Sequence, residues 1–120
     1  MAFVLVVDDD ESTCDALQRL LSRMGYAASC ATSGRDALDV AGSVRPDVIV
    51  LDWMMPDMDG LEVLRRLRAQ PSTRDVPVVV YSAVDNPDMR GEARRLGAQD
   101  CDLKSGGFYP LYERIERYVS

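Results

Sequence analysis

Histidine is absent from all 120 residues, lysine occurs once, and the three cysteines are odd in number and far apart. Each shortage excludes something. Without an imidazole there is no His-ligated zinc site, no Ser-His-Asp triad and no phosphohistidine carrier. Cys14, Cys30 and Cys101 form no CxxC pair and read as small apolar residues of a reducing compartment, not as a disulfide framework. No apolar run approaches the roughly 18 residues of a membrane span, and no basic segment leads into an apolar one, so neither a membrane anchor nor a secretory signal is expected. Concentrated positive charge is lacking as well. The formal charge is −6, with the arginines spread among 20 acidic residues, which argues against a nucleic-acid surface that would need a basic stripe. Arg65, Arg66 and Arg68, and Arg90, Arg94 and Arg95, read as solvated helix faces. The expectation is one soluble, cytoplasmic domain over residues 1–120 with no output domain.

What is present is a set of apolar runs, each with a polar tip. FVLVV leads into Asp8 and Asp9, VIVL into Asp52, and VPVVVY into Ser82; a weaker, charged run leads to Lys104. The first three have the continuous apolar character of strands buried on both faces. Between them lie helical patterns with start and stop signals. Asp10 or Ser12 caps a helix ended by Gly25, and Ser33 with Asp36 starts a short helix through about Ala41. Asp59-Gly60 opens LEVLRRLRA, Asn86-Pro87 opens a helix ending near Leu96, and the last helix runs from Tyr109 to Val119. Residues 99–103 make a poor, polar strand suited to a sheet edge. The order βαβαβαβαβα implies a parallel sheet wrapped by helices on both faces.

In such a sheet the C-terminal strand ends lie side by side at the edge where ligands bind. Asp8, Asp9, Asp52, Ser82 and Lys104 would therefore meet. Three crowded carboxylates raise one another's pKa unless a cation neutralises them. Mg²⁺ suits such a site, since it takes oxygen ligands and often uses one or two carboxylates plus phosphate. A lone lysine in an arginine-rich chain supplies a compact charge that can reach a phosphoryl oxygen.

The segments VLVVDDD, VLDWMMPDMDG, VVVYSA and GAQDCDLK resemble, in order and spacing over nearly the whole chain, the receiver domain of two-component response regulators. The resemblance implies a flavodoxin-like, doubly wound sheet of five parallel strands in the order 2-1-3-4-5, with five helices. It implies that Asp52 accepts a phosphoryl group from a phosphohistidine on a histidine kinase or phosphotransfer protein. Asp9 matches the direct Mg²⁺ ligand, Asp8 its companion, and the backbone carbonyl of Met54 a further ligand. Ser82 matches the hydroxyl that turns toward the phosphoryl group and Lys104 its ammonium partner. The domain would then act as a self-phosphorylating and self-dephosphorylating phosphoacceptor, not a turnover enzyme, and signal to a downstream protein whose identity the sequence does not give. Pro56 and Gly60 read as shapers of the loop, and Trp53 is left either under that loop or exposed.

Three departures from the family pattern stand out. Cys101 occupies the usual aromatic position, and Ser105 replaces a proline after Lys104, so a trans bond or a strained cis one is expected there. Gly106-Gly107 gives the same loop added freedom. Met54 and Val84 flank the site and cannot orient a water by hydrogen bonding. Two other readings remain open. VLVVDDDES also fits the nucleophile signature of haloacid-dehalogenase phosphatases, with Asp8 attacking and Asp10 as acid, and a pseudo-receiver would keep the fold as a protein-binding module without the phosphorylation.

Overall fold

Buried strands and capped helices alternate along the chain in a computed structural model that describes residues 1–119. The strands are β1 (Phe3–Val7), β2 (Ala27–Ala31), β3 (Val48–Leu51), β4 (Val78–Ser82) and β5 (Asp100–Leu103). The helices are α1 (Glu11–Arg23), α2 (Gly34–Val44), α3 (Gly60–Ala69), α4 (Pro87–Arg95) and α5 (Phe108–Val119), with a 3-10 turn at Lys104–Gly106. All strand pairs are parallel, and the order is β2-β1-β3-β4-β5. This is the doubly wound arrangement expected from the sequence.

Alternate side chains of each central strand point to opposite faces, and each face has its own core. Leu5, Val7, Ile49, Leu51, Val78 and Val80 pack with residues of α2, α3 and α4, including Ala37, Leu64, Leu67 and Ala93. Val4, Val6, Val48, Val50, Val79 and Tyr81 pack with Leu17 and Leu21 of α1 and Leu111 and Ile115 of α5. Burying each such side chain contributes about 1.5–3 kcal/mol, so β1, β3 and β4 form a stiff floor beneath their C-terminal tips.

Helix starts follow the capping residues. Asp10, Ser33, Asp59 and Asn86 accept the N–H of Ser12, Asp36, Glu62 and Asp88 respectively. Helix α2 runs past Ala41 to Val44, because nothing stops it before Arg45, which precedes Pro46 and takes a left-handed conformation at φ 46°. The polar strand β5 does lie at an edge, and its charges have partners on α5. Arg114 Nε donates to Asp102 at 2.9 Å and its Nη1 to Asp100 at 3.2 Å, while the Tyr118 hydroxyl also donates to Asp100. No cis peptide occurs among the described residues, so the Lys104–Ser105 bond is trans.

The cysteines require a correction. Cys14 of α1 and Cys30 of β2, expected to be separate, are joined as a disulfide with Cα atoms 5.8 Å apart; Cys101 alone is free. The cause is packing: α1 lies directly on β2 and brings together two residues whose spacing of 16 carries no motif. No described helix is long and apolar enough to cross a membrane.

Candidate functional site

Asp8 follows the last residue of β1, and Asp52 the last residue of β3. The two strands are in register, Val7 opposite Leu51, and the Asp52 N–H donates to the Val7 carbonyl at 2.8 Å. The sheet thereby holds both carboxylates at one level. Asp8 is 2% exposed and Asp52 7%, whereas Asp9, one step further out, faces solvent. One ligand oxygen from each of the three lies within 4.8 Å of the others.

Lys104 reaches this group from the end of β5. Its Nζ donates to Asp8 Oδ2 at 2.7 Å and lies 3.7 Å from Asp52 Oδ2. The turn that carries it is tied down more firmly than the two glycines suggest, since the Gly107 N–H donates to the Lys104 carbonyl at 3.1 Å and the Tyr81 hydroxyl to the Gly107 carbonyl at 3.3 Å. Burial by itself would lower the lysine pKa; the Asp8 hydrogen bond and the Asp52 charge outweigh it and raise the value. The ammonium stays charged.

One ammonium does not balance three carboxylates. Burial, and then the charge of Asp8, push the Asp52 carboxyl up to about 6, against the pull of Lys104 and the Met54 N–H. The pocket is short of positive charge. Its donors are hard carboxylate oxygens with no thiolate or imidazole among them, a set that suits a small divalent cation such as Mg²⁺.

Ser82 closes β4 and is 1% exposed. It sits in the row of strand ends as expected, but its Oγ accepts the Val84 N–H at 3.1 Å. Met54 and Val84 flank the pocket with side chains 66% and 49% exposed. Asp10 is engaged elsewhere: its carboxylate accepts from Ser12 and Thr13 as the cap of α1, and the acid role that the phosphatase reading required would have to break that cap.

The loop from Asp52 to Asp59 is pinned at several points. Trp53 is buried, and the Gly60 N–H donates to its carbonyl at 2.8 Å. A Cβ on Gly60 would lie 2.7 Å from the Trp53 ring and 2.9 Å from the Asp52 carbonyl, so only glycine permits this approach. Asp57, to which the sequence assigned no role, accepts the N–H groups of Gly34 and Arg35 at the start of α2. These contacts fix the direction of the backbone just beyond Asp52.

Residues 4–116 match the sequence model of the response regulator receiver domain. The chain belongs to this family. It is a receiver domain of two-component response regulators, and similar known proteins agree. The response regulator MprA of Mycolicibacterium vanbaalenii is 46% identical over 112 residues, which cover 93% of this chain and 48% of MprA. This receiver domain thus spans about half the length of the curated relatives it matches. Among solved structures, the chemotaxis protein CheY4 of Vibrio cholerae superimposes with a TM-score of 0.93 at 31% identity, covering 98% of each chain. The response regulator TrrA of Thermotoga maritima, solved in complex with Mg²⁺-BeF, gives a TM-score of 0.87 at 29% identity, with coverage of 98% and 99%.

Proposed function

We propose that this receiver domain takes a phosphoryl group onto Asp52 in a Mg²⁺-dependent reaction, from a phosphohistidine on a histidine kinase or phosphotransfer protein. The observation that carries the proposal is the cluster of Asp8, Asp9 and Asp52 around a single ammonium, with Asp52 buried and short of countercharge. Asp9, Asp52 and the Met54 carbonyl would hold the ion directly, with Asp8 as companion. Bound there, Mg²⁺ would neutralise charge on the transferring phosphoryl oxygens.

The protein's own groups account for the rest. Asp52 Oδ attacks phosphorus, the bond from phosphorus to the donor imidazole breaks, and the histidine leaves with its electron pair. Lys104, now beside both Asp8 and Asp52, is within reach of a phosphoryl oxygen on Asp52 and supplies fixed positive charge there. Ser82 gives up the Val84 N–H and turns its hydroxyl to another phosphoryl oxygen. That change draws on the loop after β4, and it offers a route to the surface that needs no aromatic at Cys101. The product signals to a downstream protein by this altered surface, and the domain acts as a phosphoacceptor, not as a turnover enzyme.

Intact-mass measurement after incubation with acetyl phosphate tests the reading. With Mg²⁺ the wild type is expected to gain one phosphoryl group, with EDTA none, and Asp52→Asn none in either. Modification of Asp52→Asn to the wild-type extent would refute it.

A further inference from the structure

We propose that Asp57 is a positioning residue for the metal site: by capping α2 from the far side of the loop, its carboxylate holds the backbone that presents the Met54 carbonyl. The inference rests on the Mg²⁺ reading above and goes beyond it, by assigning a role to a residue outside the acidic cluster.

The start of α2 is capped twice. Ser33, the local cap, accepts the N–H of Asp36 at 3.1 Å. The N–H groups of the first two helical residues, Gly34 and Arg35, are taken by Asp57 Oδ1 at 3.1 Å and Oδ2 at 3.3 Å. Asp57 lies 23 positions from Gly34 in the chain, so this is a tertiary contact, not a local turn. A carboxylate at a helix N-terminus satisfies donors that otherwise have no partner and meets the positive end of the helix dipole.

Packing reinforces the same contact. A Cβ on Gly34 would come within 2.9 Å of Met58 Cβ and of Val63 Cγ2, so the loop lies directly against the first turn of α2. At its other end the loop is tied by the Gly60 N–H to the Trp53 carbonyl. Met54 stands between these two anchors with its side chain in solvent, while its N–H donates to the Asp52 carboxylate and Met55 beside it is buried in the core. Those contacts hold the near side of the Met54 peptide and Asp57 holds the stretch that follows, so the direction of the carbonyl depends on both. Groups that orient a metal's ligands from outside typically affect affinity by roughly ten- to a hundredfold.

The test compares two ways of uncapping one helix. Asp57→Ala and Ser33→Ala each remove acceptors from the start of α2 and should lower its thermal stability by similar amounts. Mg²⁺ affinity is read from the fluorescence of Trp53, the only tryptophan, which adjoins Asp52. Asp57→Ala is expected to weaken Mg²⁺ binding roughly tenfold, with Ser33→Ala close to wild type. Asp57→Asn, which keeps an oxygen for one N–H, should fall between, and it carries the test if the alanine variant does not fold. Equal weakening by Asp57→Ala and Ser33→Ala, or wild-type affinity in both Asp57 variants, overturns the proposal. Absence of Mg²⁺ binding in the wild type itself overturns the metal reading along with it, and calorimetry on the wild type distinguishes that case.

Discussion

Replacing Asp52 with asparagine removes a charge that the folded protein holds at a cost, so the variant should be more stable than the wild type when no metal is present. The Asp52 carboxyl rises from its ordinary 3.8 to about 6 on folding, first through burial and then through the neighbouring Asp8. A raised acid binds its proton more tightly in the folded state. Below the ordinary value both states are protonated and nothing is lost. As pH climbs from there through about 6, the unfolded chain releases its proton first, and folded stability falls. About two pH units at 1.36 kcal/mol each gives about 3 kcal/mol, reduced to about 2 if water reaches the pocket. Asparagine has the same shape and no charge. Metal-free Asp52→Asn should therefore melt roughly 8 °C higher than wild type at pH 7.5, with the gap reduced to about a third of that at pH 4.5. The difference between the two proteins carries the sign. Other carboxyls act oppositely in both: Asp57, held low by the Gly34 N–H, and Glu62, held low by Arg66, contribute stability that is lost in acid. Thermal melts in EDTA at the two pH values are the assay. Equal or lower stability of Asp52→Asn at pH 7.5 would refute the claim that the pocket lacks positive charge.

Three further outcomes follow from the same geometry. Lys104→Met strips the ammonium from buried Asp8 and should destabilise the metal-free protein by about 2–3 kcal/mol in urea melts, part of it restored by Mg²⁺; an unchanged midpoint would contradict the ion pair. Gly60→Ala forces a Cβ into the Trp53 ring and the Asp52 carbonyl; a loss of about 1–3 kcal/mol is expected, together with a shifted tryptophan emission, and a wild-type melt would show that the loop yields. Met54 and Val84 offer a hydrolytic water no hydrogen bond from their side chains, so phosphate release from the purified phosphoprotein should take minutes or longer, and release within seconds would count against it.

Much of this was legible in the chain. The apolar runs at Phe3–Val7, Val48–Leu51 and Val78–Ser82 declare buried strands, and their Asp and Ser tips converge because parallel strands end on one side. Capping residues Ser33, Asp59 and Asn86 start their helices as their chemistry dictates. What escaped notice is tertiary. The polar strand β5 was legible as an edge strand, but the partners of Asp100 and Asp102, Arg114 and Tyr118, come across from α5 and no local pattern announces them. The Cys14–Cys30 pairing depends on how α1 settles on β2, and no local spacing encodes it. Trp53 is buried because Gly60 lets the loop close over it. Asp57 caps a helix that precedes it in the chain, and local capping rules look only at the residues just before a helix.

The central claim is that Asp52, and no other acid of the cluster, carries the phosphoryl group. Borohydride reduction of the phosphorylated protein converts an aspartyl phosphate to homoserine, which peptide sequencing by mass spectrometry can place. Homoserine is expected at position 52 alone, and only in samples treated with phosphodonor and Mg²⁺. Homoserine at position 8 or 9 with position 52 unchanged would contradict it.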